Sequence, residues 1–288
     1  MRAAPRLLIA FAAILPLFTL SAQPPQDRGG PGSELIRQGT QLDHEGKGAE
    51  ARAVFQKAID SAPTPAAKAN AQRAMAMSWA FSGDCKKTAE YEDMVIDYWK
   101  TQEKDAPDRA FYQQGEMADE AARVCIDNGD LDAAEELYKK GHDLGLREPD
   151  IPPARKDLWD YRWEHAQARI AARRGNKLEA EKHVAAAKKI LTGMQQKDQK
   201  LYEQQASFLP YLTGYVALYT GDYQAALEDL QKANQNDAFI QCLVGMTFEK
   251  LGDKTRAMEA YNKAASTSGH NPPAAFARPF TAKKLGKS

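Results

Sequence analysis

The chain has 288 residues, with 39 basic and 39 acidic side chains and a formal net charge of zero. That balance gives no general attraction to nucleic acid, and the mixed charges (27% of residues) are those of solvated helix faces. Three cysteines without a C-x-x-C spacing signal neither a redox pair nor a zinc knuckle.

At the amino end, Arg2 and Arg6 precede an uncharged run from Leu7 to Leu20, and the small residues Ser21 and Ala22 follow. A positive start, an apolar stretch and a small-residue exit read as a secretory signal peptide over 1–22. The run is shorter than the roughly 20 residues a spanning helix needs, and Pro16 interrupts it, which argues against an uncleaved anchor. No cysteine stands at the exit, so lipid anchoring is not expected. Cleavage would leave 37 basic against 39 acidic side chains. Residues 23–32, QPPQDRGGPG, are rich in proline and glycine and read as a disordered linker.

From residue 33 onward a motif recurs: a glycine, a polar residue, then an alanine-rich stretch. It begins at Gly46, Gly83, Gly129, Gly175, Gly221 and Gly252, at intervals of 37, 46, 46, 46 and 31 residues. Seven residues before the glycine stand Gly39, Ala76, Ala122, Ala168, Gly214 and Gly245. Five after it stand Ala51, Thr88, Ala134, Ala180, Ala226 and Ala257. Nine after it stand Phe55, Glu92, Tyr138, Val184, Leu230 and Tyr261. Two antiparallel helices joined by a tight turn need small residues where their axes approach. The expected facing pair is the Gly/Ala seven before the turn and the Ala five after it, with the large residue nine after it filling the groove against the next pair. The turn glycine supplies a positive φ, and the Asp or Asn behind it caps the second helix.

With these residues in place, as in GDYQAALEDLQKA (221–233) and GDKTRAMEAYNKA (252–264), the chain resembles the tetratricopeptide repeat (TPR) family over about residues 33–265. The resemblance implies an all-α, right-handed superhelical solenoid of about six antiparallel helix pairs, here an array over 33–268. Repeat two departs from the pattern, with Thr88 and Glu92 in core slots and a second helix expected out of register. Repeat four carries Val184 in place of an aromatic. First helices are expected near 33–45, 65–82, 107–127, 154–174, 200–220 and 237–250. Second helices are expected near 48–61, 85–102, 130–143, 177–195, 222–235 and 253–267. Pro210 should kink or restart the fifth first helix, and 147–153 (REPDIPP) should run as an extended connector. The tail 269–288 should cap the last repeat with Phe276 and Phe280, four apart on one helix.

No catalytic signature is present. The five histidines include no H-x-x-x-H pair, and neither a G-x-S-x-G elbow nor a phosphate loop occurs. A non-catalytic chain with no cofactor and no metal is expected. In TPR arrays the first helices line a concave face, so the resemblance implies that ligands dock there. By helical phase the candidate groove residues are Arg73, Arg123, Arg162, His165, Arg169, Arg173, Phe208, Tyr211, Tyr215 and Tyr219. Arginine forks suit carboxylates and tyrosines give rigid contact area, so a protein or peptide segment with acidic and apolar residues would fit. The bland alternative has the tyrosines packing between repeats and the arginines pairing with Glu116, Asp119 or other acids. Trp159 and Trp163 are expected to stack repeats. Cys85 and Cys125 both fall at the turn end of adjoining repeats and could form a disulfide; Cys242 has no evident partner. The expected role is an interaction scaffold or adaptor of the bacterial cell envelope, periplasmic or secreted, without nucleic acid and without a membrane span after signal cleavage. The alternatives are a subunit of an envelope assembly or secretion complex, or a carbohydrate-binding or enzymatic solenoid.

Overall fold

The structure, a computed structural model, describes residues 31–287. The signal peptide expected over 1–22 and most of the expected linker lie outside the described residues. The linker's last two residues do not behave as expected: Pro31 and Gly32 open the first helix.

Six helix pairs follow in chain order, all helical with no strand among the described residues: α1 (Pro31–His44) with α2 (Gly48–Asp60), α3 (Pro65–Phe81) with α4 (Cys85–Lys100), and α5 (Pro107–Asn128) with α6 (Leu131–Gly145). Then come α7 (Pro153–Arg173) with α8 (Lys177–Lys197), α9 (Gln199–Ala206) and α10 (Leu209–Thr220) with α11 (Tyr223–Leu230), and α12 (Ala238–Lys250) with α13 (Lys254–Ala265). A last helix, α14 (Pro272–Lys284), ends the array. Each helix packs on its chain neighbour. First helices also touch one another, α1 on α3, α7 on α10, and α10 on α12. They form the inner wall of an all-α solenoid, with the second helices outside.

Local chemistry sets each pair. All six turn glycines have positive φ, between 72° and 92°, where a side chain would be strained. In five pairs the next residue caps the second helix. Asp84 accepts from the Lys87 amide at 2.9 Å, and Asp130, Asn176, Asp222 and Asp253 each accept from the amide three residues on. Each such cap contributes about 1 kcal/mol. The first pair has Lys47 there and no side-chain cap.

The packing partner of the small residue differs from expectation. A Cβ added to Gly39 would stand 2.5 Å from the Phe55 ring, and one on Gly214 would stand 2.7 Å from Leu230 Cγ; Gly245 meets Tyr261 in the same way. The large residue nine after the turn thus packs back onto the glycine of its own pair. The ring needs a partner without a side chain, and that glycine is within its reach. Repeat two keeps its register: Thr88 and Glu92 are both fully buried in the core slots, and the Thr88 hydroxyl donates to the Asp84 carbonyl at 2.8 Å.

Between repeats, Trp159 of α7 is fully buried against Gly115 of α5 and Gly145 of α6, where an added Cβ would overlap the indole. Trp163 packs beside Tyr138, Ala166 and Ile170. Pro210 lies in the first turn of α10, after a break that divides the fifth first helix. The 147–153 stretch is not an extended connector throughout: it turns at 147–150, where Asp150 adopts φ 52°, and only Ile151 and Pro152 run free of turns before α7. Cys85 at the start of α4 and Cys125 in α5 form a disulfide with Cα atoms 4.9 Å apart, closing a separation of 40 residues; Cys242 is buried and free.

Two substitutions separate packing from propensity. Gly145→Ala should lower the urea midpoint by an amount worth about 1–3 kcal/mol, because the methyl displaces the Trp159 ring. Gly193→Ala, on α8 with nothing within 4 Å, should raise it by about 0.5–1 kcal/mol. Equal shifts at both sites would exclude the wedge as the reason for Gly145. Reduction, or the Cys85→Ser/Cys125→Ser pair, should cost about 3–4 kcal/mol in the same assay by freeing the loop in the unfolded chain.

Candidate functional site

The inner wall at the middle of the array carries three matched stripes. On α5, Tyr112, Glu116, Asp119, Arg123 and Asp127 recur every three or four residues, and Arg162, His165, Arg169 and Arg173 do the same on α7. Tyr211, Tyr215 and Tyr219 stand four apart on α10. The 46-residue interval between repeats brings the α5 and α7 stripes side by side: Arg162 donates to Glu116, 46 residues away, at 2.6 Å.

The arginines fall into two groups. Arg73 of α3 forms a bidentate pair with Glu120, with Nε to Oε2 at 3.0 Å. Arg162 is held by Glu116, by the Tyr112 hydroxyl at 2.9 Å and by Asp119 at 3.6 Å, and it lies over the Trp159 ring at 5.0 Å. These two follow the bland alternative.

Arg123, Arg169 and Arg173 do not. No carboxylate among the described residues comes within ion-pair distance of them. Arg169 donates to the hydroxyls of Tyr138 at 2.6 Å and Tyr211 at 3.0 Å, and Arg173 donates to Tyr215 at 3.3 Å and lies over the Tyr219 ring at 4.8 Å. Phenols neutralise no charge. Beside them, His165 is 8% exposed and its Nε2 has no hydrogen-bond partner. Burial first, then Arg169 and Arg123, hold its imidazole well below the usual range, favouring the neutral form.

The acids respond to the same interior. Burial pushes Asp119 up to about 7 against the pull of Arg162, and pushes Asp127 up to about 7 against the pull of Arg123, Arg169 and Arg173. Glu116 is also pushed up by burial, but adjacent Arg162 outweighs this and holds it below the usual range. Glu92, fully buried with neither oxygen partnered, is raised well above that range by burial and then by the charge of Glu120.

Of the ten groove positions read from the sequence, Arg169, Tyr211, Tyr215 and His165 are buried. Arg73, Arg123, Arg162, Arg173 and Tyr219 are half-buried, and Phe208, just before α10, is 49% exposed. Solvent reaches the cluster at its Arg123–Arg173–Tyr219 end. Tyr112 and Tyr138 were missed by phase. Tyr138 had a signal, since it is the large residue nine after its glycine, but it stands on a second helix and reaches inward through its hydroxyl. Among the described residues no group of three or more His, Cys, Asp or Glu could hold a metal, and no helix is long and apolar enough to cross a membrane.

The raised carboxyls have a measurable sign. Between about pH 4 and 7 the folded chain binds protons at Asp119 and Asp127 that the unfolded chain has released, so their stabilisation is full below pH 4 and lost as pH rises through 7. His165 and His44, held low by burial, act oppositely below pH 6.5. The comparison with Asp119→Asn/Asp127→Asn isolates the carboxyls. The fall in stability from pH 5 to pH 8 should shrink in that variant by on the order of 2 kcal/mol. Parallel curves for the two proteins would show that both carboxyls ionise normally.

Residues 240–271, which cover most of α12, all of α13 and the connection to α14, match the tetratricopeptide repeat family. No curated protein matches the chain. A tetratricopeptide repeat thus lies in the sixth helix pair, and with the helix-pair solenoid around it this supports a TPR protein.

Proposed function

We propose that the chain is a non-catalytic protein–protein interaction scaffold of the bacterial cell envelope that holds a peptide or protein segment against α7 and α10. Tetratricopeptide repeats generally mediate protein contacts, and one is present at 240–271. The observation that carries the reading is the uncompensated charge: Arg169 and Arg173 donate to phenols, Arg123 has Tyr211 and Tyr138 as electrostatic neighbours, and none of the three has a carboxylate at ion-pair distance among the described residues. An incoming carboxylate supplies what they lack, and the half-buried edge of Arg173 and Tyr219 is where it would enter. Apolar side chains of the same segment would lie on the tyrosine faces. The reading of the first 22 residues as a leader places the scaffold outside the cytoplasm.

The test is affinity capture from envelope extract with residues 23–288, wild type against Arg173→Ala/Tyr219→Ala. These two half-buried positions are preferred to Arg169 and Tyr215, whose burial makes their loss a packing defect. One dominant partner, reduced at least tenfold in the variant with its melting temperature within a few degrees, is the expected result. Equal capture by both proteins would move the interface to another surface.

A further inference from the structure

The last helix does more than cap. Phe276 and Phe280 pack on the sixth pair as expected, with Phe276 edge-on to Phe239 at 5.0 Å and Phe280 edge-on to Tyr261 at 5.6 Å. The opposite side of α14 reaches back across the solenoid to α3 and α5, where Ala275 is buried against Ala80 and Val124. The seam is finished by polar contacts that join residues more than 220 apart. His270 Nε2 meets the buried Asp43 carboxylate at 2.9 Å, His44 Nε2 meets the Gly269 carbonyl at 2.9 Å, and Arg278 donates to the His44 carbonyl at 2.6 Å; a second bond from Arg278, to the Thr267 carbonyl at 2.7 Å, stays within the tail.

We propose that the inner face formed by α3 and the end of α5 is a docking surface for an aromatic, basic helix, and that α14 is its resident occupant, able to leave while α1–α13 stay folded. Four observations converge on this. The apolar contact of α14 itself with α3 and α5 is narrow, being Ala275 on Ala80 and Val124 with Phe81 at its edge, where the Phe81 ring stacks on His270 just before the helix. A half-open crevice of about 290 Å³ runs between α14 and the ends of α3 and α5, lined by Phe81, Val124, Asp127, Phe276, Phe280 and Lys283 among others, so solvent reaches into the seam. The helix is weak alone, because Pro279 within it removes a backbone hydrogen bond, so its helicity depends on docking. Finally, α14 has three basic residues and no acid; Lys283 lines the crevice with Asp127 of α5, and Arg278 donates to the His44 carbonyl at the end of α1. A narrow apolar seam with α3 and α5, a solvent-filled crevice and poor intrinsic helicity are what allow a segment to open locally below the global unfolding free energy. This surface adjoins the α7–α10 stripe at Asp127, but the residues tested differ, Arg278 here and Arg173 with Tyr219 there, so either assignment can fail without the other.

Two measurements on the full mature chain decide it. In native-state hydrogen exchange, α14 amides should exchange at least tenfold faster than those of α12 and α13, and Arg278→Ala should speed α14 a further tenfold while leaving α12 and α13 unchanged. A fluorescein-labelled peptide of residues 269–287 should bind the Arg278→Ala chain at least fivefold more tightly than wild type, because the tethered competitor has lost its anchor. Both results are required. If α14 exchanges together with α12 and α13, it is a fixed cap and the proposal fails. Equal peptide binding to the two chains would remove the docking surface even if α14 opens. Should Arg278→Ala not fold, Arg278→Lys, which cannot span both carbonyls, replaces it in both measurements.

Discussion

A glycine held at positive φ, followed in five of the six pairs by a capping carboxylate or amide, fixes how each first helix enters its second, and the rest of the molecule inherits that angle. The turn alone does not set the distance between the two axes. Distance comes from pairing a small residue seven before the turn with a large one nine after it, as Gly39 with Phe55 and Gly245 with Tyr261. Where the large residue is absent, as at Val184 on α8, the partner helix α7 presents Ala168 rather than glycine, so the void is not enlarged twice. Angle and distance together make one rigid pair, and repetition of the pair makes the wall.

The interior chemistry follows from this regularity. Equal 46-residue spacing puts equivalent faces of α5 and α7 next to each other, so charges placed on one phase of each helix must meet. Arg162 and Glu116 meet productively. Arg169 meets hydroxyls, because the large slot of repeat three holds Tyr138 and the facing α10 stripe holds Tyr211. A guanidinium so placed is hydrogen-bonded without being neutralised, and the raised carboxyls of Asp119 and Asp127 leave the centre short of negative charge as the pH falls below about 7. The cost of such an arrangement is tolerable where a ligand completes it, which links the electrostatics to the interaction role supported by the repeat.

What could be read from the sequence was local. Turn glycines, caps, the restart at Pro210 and the pairing of Phe276 with Phe280 depend on residues within a dozen positions of one another, and all stand where their patterns put them. Repeat two shows the limit of pattern alone. Glu92 breaks the family's preference yet keeps its slot, because its neighbours supply the packing and its carboxyl is driven toward the neutral form. Helical phase named an inward stripe but could not distinguish a paired arginine from an unpaired one. That distinction rests on which residue the neighbouring repeat presents at the same height.

Least legible was the closure between the first pair and the last helix. Asp43 and His270 are 227 residues apart, and their meeting depends on curvature accumulated over every intervening pair. No window of sequence contains that sum. An error of a few degrees per pair, repeated six times, would carry α14 past α3 altogether. The seam therefore reports on the whole array: its hydrogen bonds form only when all the turns hold their angles together. A solenoid in which each pair touches only its neighbours loses stability step by step as repeats are removed. Contacts between its ends add a term that any one slackened turn would weaken, so the closure gives an otherwise one-dimensional array a long-range cooperative contact.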